Sequence, residues 1–146
     1  MTNNLLSLYQ YAEARNIDTD WCFMGKAKSL SMPCPDGSCC IALDPWKMNT
    51  LSEETTSLAH ELGHCETGSF YNRWAAMDVR QKHENRADKW AIRRLVPANE
   101  LYAAMEGGCT DVWSLAELFG VTPEFMKKAI CWYRNGNLAT ELYVYE

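Results

Sequence analysis

Histidine is scarce in this sequence, three in 146 residues, and long apolar runs are missing altogether. Without about twenty consecutive apolar residues, no segment has the length to cross a bilayer as a helix. Positive charge is short as well: 14 Lys and Arg against 19 Asp and Glu leave a formal charge of -5. That balance argues against broad electrostatic binding to nucleic acid or to an anionic membrane surface. The start MTNNLLSLYQ lacks the basic and apolar regions of a secretory leader. No internal repeat, low-complexity run or linker divides the chain, so residues 1–146 are expected to form one domain of a cytoplasmic protein.

The composition, 47% hydrophobic with 12% aromatic residues, is that of a folded globular body rather than a disordered tail. Seven cysteines invite a disulfide reading, but the count is odd and the chain long for a disulfide scaffold. CPDGSCC gathers Cys34, Cys39 and Cys40 without the CxxC pairs of common zinc modules; of a second metal site and reduced cysteines in a turn, the second is expected. Cys22, Cys65, Cys109 and Cys131 read as small buried apolar residues, and the six tryptophans as lining of core and cleft.

Leu5, Leu8, Tyr9 and Ala12 recur at helical intervals and predict an amphipathic first helix. KSLSM and CCIAL, separated by the turn residues of PCPDGS, predict a small hairpin; CCIAL could offer an edge to an extended peptide, with core packing the favoured role. Thr50 followed by Glu53 fits a capping box, and Gly68 a stop, for a helix of about four turns. A second long helix is expected from His83 to Val96, ended by Pro97; the stretch SFYNRWAAMDVRQ between the two has no clear period. The rest reads as short helices. Around 110–134, Gly120 ends one and Thr122 with Pro123 starts another, which resembles a helix-turn-helix. Its second helix offers Lys127 and Lys128 as cations in an acidic chain, so packing or partner docking is favoured over direct DNA binding.

The chemistry concentrates in HELGH. His60 and His64, four residues apart on a helix, differ by about 40° in heading, so both imidazoles can reach one ion, with Glu61 between them as general base. Leu51, Leu58, Leu62 and Cys65 fall near the opposite side, which would pack. A catalytic zinc needs a third protein ligand and an open position. Glu84 is favoured over the adjacent His83, because Asp88 lies one turn further on the same face, where it could accept the other ring N–H of a ligand histidine. Ala87 and Ala91 beside that face would let the helices approach closely, while Arg86, Lys89 and Arg93 fall on a solvated face. Tyr71, His83 and Tyr102 are candidate donors to a developing oxyanion or to substrate.

HELGH followed by HENRADKWAIRRLVP resembles the ImmA/IrrE family of metallopeptidases. Glu84, Ala87, Trp90, Ala91, Leu95 and Pro97 match in order its second signature, a Glu, then Ala, an aromatic, Ala and Leu before a helix-ending Pro. The resemblance runs from the first helix to about residue 130 and departs at Asp88, where relatives commonly have Asn, and in the cysteine richness. It implies one Zn2+ held by His60, His64 and Glu84, with Glu61 as base. It further implies a bacterial protein of a prophage or mobile element, cleaving a repressor of helix-turn-helix type. The expectation is therefore an α+β, mostly α, zinc endopeptidase with a zincin-like ligand helix. The alternative is a non-hydrolytic regulatory protein, stabilised by zinc, that binds a partner or DNA.

Overall fold

The computed structural model describes residues 4–72 and 74–138. In chain order the elements are α1 (Asn4–Ala14), β1 (Asp18–Trp21), β2 (Ser29–Pro33), β3 (Cys39–Leu43), a 3-10 turn (Pro45–Lys47), α2 (Leu51–Thr67), α3 (Met77–Leu95), α4 (Ala98–Glu106), α5 (Val112–Phe119) and α6 (Pro123–Asn135). The architecture is α+β and mostly helical.

The predicted hairpin forms: β2 and β3 pair antiparallel, Ser31 opposite Ile41 and Met32 opposite Cys40. Gly37, at φ +90, takes the turn conformation that a side chain would resist. A third strand went unread. β1 adds in parallel to β3, Asp18 opposite Cys40 and Trp21 opposite Leu43, giving the order β1-β3-β2. Its DTDW sequence carries almost no apolar signal, because three of its four residues are exposed. CCIAL is consequently the central strand, and β2 borders on open edge.

Helix α2 starts where the capping residues place it. Thr50 Oγ1 accepts from the Glu53 N–H, and the Glu53 carboxylate reaches back to the N–H of Asn49 rather than to that of Thr50. Gly68 closes it in the left-handed conformation, φ +63. Leu58 and Leu62 are fully buried, each contributing about 1.5–3 kcal/mol of apolar burial. Leu51, expected on the packed face, is 72% exposed; it is the first helical residue, beyond the reach of the neighbours that cover the rest. Against α2 lies α3, through Ala87, Ala91 and Ile92. A Cβ on Gly63 would stand 2.4 Å from the carbonyl oxygen of Ala87, so the motif's glycine sets the distance between the two helices. α3 begins at Met77, six residues before the expected start, because its N-cap Ala76 gives no side-chain hydrogen bond and hence no capping signal.

α5 and α6 form the expected helix pair. Asp111 caps α5, Gly120 ends it at φ +70, and Thr122 with Pro123 opens α6. Their buried Leu115, Phe119, Phe125 and Met126 join Leu8, Ile41 and Leu58 in one core. Two expectations about residue types fail. Trp21, Trp46, Trp74 and Trp113 are all more than half exposed. Cys39 and Cys65 are joined in a disulfide that ties β3 to the end of α2, and Cys22 is exposed rather than buried. Among the described residues no helix is long and apolar enough to cross a membrane.

Candidate metal centre

Three side chains from two helices converge. From α2, His60 Nε2 and His64 Nε2 stand 3.2 Å apart; from α3, the Glu84 carboxylate lies 2.7 Å from the first and 3.4 Å from the second. Each histidine is held by its other nitrogen. His60 Nδ1 meets Asp88 Oδ1 at 2.7 Å, and His64 Nδ1 meets the carbonyl of buried Ser69 at 2.5 Å. That carbonyl arrives because the left-handed turn at Gly68 folds the chain back over the helix end, with the Ser69 N–H donating to His64 O.

A carbonyl can only accept, so His64 Nδ1 carries a proton, and in the neutral ring its Nε2 is a bare lone pair. With His60 Nδ1–H donating to Asp88 in the same way, two nitrogen lone pairs and a carboxylate face one point, an arrangement that only a proton or a cation satisfies. As protein groups alone the answer is a proton. Burial works against charge on His60, but the hydrogen bonds to Asp88 and Glu84 outweigh it and lift its pKa to about 10. Burial likewise raises Glu84, yet its bonds to His60, His64 and Tyr71 hold it well below the usual carboxylate range. The donor set also fits a metal: ligands about 2.0–2.1 Å from a tetrahedral ion stand about 3.4 Å from each other, and all three donor atoms lie within 4.8 Å.

Glu61 borders the same cavity of 290 Å³, with Phe70 and Tyr71 on its rim. Its two carboxylate oxygens accept from Ser29 Oγ and Ser31 Oγ, each at 2.7 Å. Sequence reasoning missed these serines, although strand alternation puts both on one face of β2. It also missed Lys128. This cation of the helix pair turns inward, its Nζ 3.0 Å from Asp88 Oδ2, while Lys127 lies over the ring of Trp113. A second cavity of 530 Å³ continues from His60, Glu61 and Glu84 toward Phe125 and Lys128. An apolar groove of 550 Å³ between Leu6, Leu51 and Leu118 lies apart from this cluster.

Of the three candidate donors, Tyr71 is in place, its hydroxyl donating to Glu84 Oε2 at 2.7 Å. His83 lines neither cavity beside the cluster; its ring is stacked on Tyr71 and its buried Nδ1 is without a partner among the described residues. Tyr102 sits half-exposed on α4 and lines neither cavity beside the cluster. The expected divergence of His83 and Glu84 thus goes to Glu84.

A helix presenting two histidines and a glutamate, crossed by a second helix that supplies one more carboxylate and edged by a small sheet, is the build of a metallopeptidase domain. Residues 22–130 match the peptidase family described as the IrrE N-terminal-like domain, and the chain belongs to that family. Searches of curated proteins and of solved structures each returned no match.

Proposed function

We propose that this protein is a zinc-dependent endopeptidase whose substrate is a helix-turn-helix transcriptional repressor of a prophage or mobile element, cleaved in the bacterial cytoplasm. The observation that carries the catalytic part is the convergence of His60 Nε2, His64 Nε2 and the Glu84 carboxylate beside Glu61. The substrate rests on the family resemblance.

His60, His64 and Glu84 would hold the ion, leaving a fourth position for water. When bound, zinc supplies Lewis acidity, which acidifies water toward neutral pH and polarises a carbonyl. The other steps belong to the chain. Glu61, with both oxygens steadied by Ser29 and Ser31, takes the proton of the attacking water and passes it to the leaving amine. Asp88 and the Ser69 carbonyl fix the histidine rings. Tyr71, a hydroxyl that keeps its proton because Glu84 accepts from it and burial disfavours its ionisation, is the donor for the developing oxyanion. Cavities on two sides of Glu61 and Glu84 leave room for chain on both sides of a scissile bond, which favours endopeptidase over exopeptidase action.

The test is Glu61→Gln. The variant should bind zinc as the parent does and lose cleavage of the cognate helix-turn-helix repressor, by about 10²–10⁴-fold for loss of a general base. Relief of repression by the variant as strong as by the parent would favour the non-hydrolytic, zinc-stabilised regulator instead.

A further inference from the structure

The hairpin carries three cysteines, of which only Cys39 is bonded, to Cys65 on α2. Direct pairing of Met32 with Cys40 and of Pro33 with Cys39 puts their side chains on alternate faces. Cys34 N–H donates to Ser38 O at 2.8 Å, so the alternation continues past the strand end. One face therefore holds Ser29, Ser31 and Cys39, turned toward α2, where the serines grip Glu61 and Cys39 is bonded to Cys65. The other face holds Leu30, Met32, Cys34 and Cys40, with Leu30 and Met32 about half exposed. There Cys34 Sγ and Cys40 Sγ lie 3.6 Å apart, both partly exposed.

We propose that Cys34 and Cys40 form a redox site, a thiol pair that reacts with a small disulfide such as glutathione disulfide to close a Cys34–Cys40 bond across the hairpin. Closure needs the sulfurs to move from 3.6 Å to about 2.05 Å, within the reach of side-chain rotation. The turn between them is already fixed, with Gly37 N–H on Cys34 O and Asp36 Oδ1 accepting from the Ser38 N–H and hydroxyl. Neither sulfur belongs to the hydrophobic core of the described residues, so packing does not account for the pair.

The chemistry balances. The Cys34 thiolate attacks glutathione disulfide, forming a mixed disulfide and releasing one glutathione thiolate. Cys40 then gives up its proton and attacks Sγ of Cys34, forming the protein bond and releasing the second glutathione. Two protein thiols are oxidised, one glutathione disulfide becomes two glutathiones, and the two protons go to them. Cys40 suits the second role: its hydrogen bond with Cys34, burial, and the charges of Cys34, Asp18 and Asp20 hold its pKa above the ordinary thiol value. The new bond would tie β2 to β3 one register pair from Ser31, stiffening from the outer face the strand that steadies Glu61 on the inner one. The site stands whether or not the chain is a peptidase.

The test is to treat the full-length protein with glutathione disulfide, block remaining thiols, and map the bonds by mass spectrometry. The parent should lose the alkylatable thiols of Cys34 and Cys40, yield a Cys34–Cys40 linked peptide and retain no glutathione on either residue. Cys34→Ser and Cys40→Ser should each keep one glutathione on the remaining partner. In the oxidised parent, amide exchange across β2 should slow. A parent that holds glutathione on Cys34 and Cys40 at once, that links either cysteine to any other residue, or that leaves both open to alkylation would overturn the proposal.

Discussion

Gly63 is the residue on which the spacing of the site depends. Atoms of Ala87's backbone lie 2.4 to 2.9 Å from where its Cβ would be, and backbone cannot swing aside as a side chain can. An alanine there gains about 1 kcal/mol of helix propensity against an overpacking cost of about 1–3 kcal/mol. With rigid obstacles the cost should take the upper end, so Gly63→Ala is expected to lose about 1–2 kcal/mol in urea denaturation and to bind zinc more weakly, since Glu84 moves off with α3. A more stable variant with unchanged zinc affinity would remove the glycine from this role. The histidine pair and Glu84 were legible because fixed helical geometry turns spacing into direction. Ser69 was not: its contribution is a carbonyl, which every residue has, and only the turn at Gly68 aims it. Nor was the Cys39–Cys65 bond, because two cysteines 26 residues apart become partners only once β3 lies against α2.

At the scale of elements, α6 reaches the metal centre through a chain of two contacts, Lys128 to Asp88 and Asp88 to His60. Asp88 is buried, and Lys128 offsets the charge of a carboxylate that would otherwise have only His60. Because the Lys128 side chain is 40% exposed, solvent screening brings the pair to the low end of the range for a charged hydrogen bond, about 1–2 kcal/mol. Lys128→Met should cost that much in stability measured without metal. In an Asp88→Asn background, where the amide still accepts from His60 but carries no charge, the same change should cost less than about 0.5 kcal/mol. Equal losses in both backgrounds would place the role of Lys128 elsewhere. Elements were readable where their ends carry side-chain signals, as at Thr50, Asp111 and Thr122. They were misread where the ends are silent, as at Ala76, or where a strand such as β1 lies mostly exposed.

For the whole molecule, the cluster makes stability a function of pH and, on the proposed function, of metal as well. Glu84 and Asp88 are both held below their ordinary values: burial opposes this, and the bonds to His60 prevail. Their contribution is present above about pH 4.5 and fades as pH falls through the lowered values. His60 is shifted the other way, to about 10, so its contribution is complete below about pH 6.5 and is lost as pH climbs toward 10. Chelator-treated protein should therefore draw most from the cluster between about pH 4.5 and 6.5, with its urea midpoint declining steadily from there to pH 9. A metal ion held by the cluster would take the place of the His60 proton, so its binding would release a proton and strengthen as pH rises. Zinc at a fixed concentration, 100 times its dissociation constant at about pH 6.5, should then add about 2.7 kcal/mol there and more at higher pH, which flattens the alkaline decline. A urea midpoint with the same pH dependence before and after zinc is restored would mean that the ion binds away from His60.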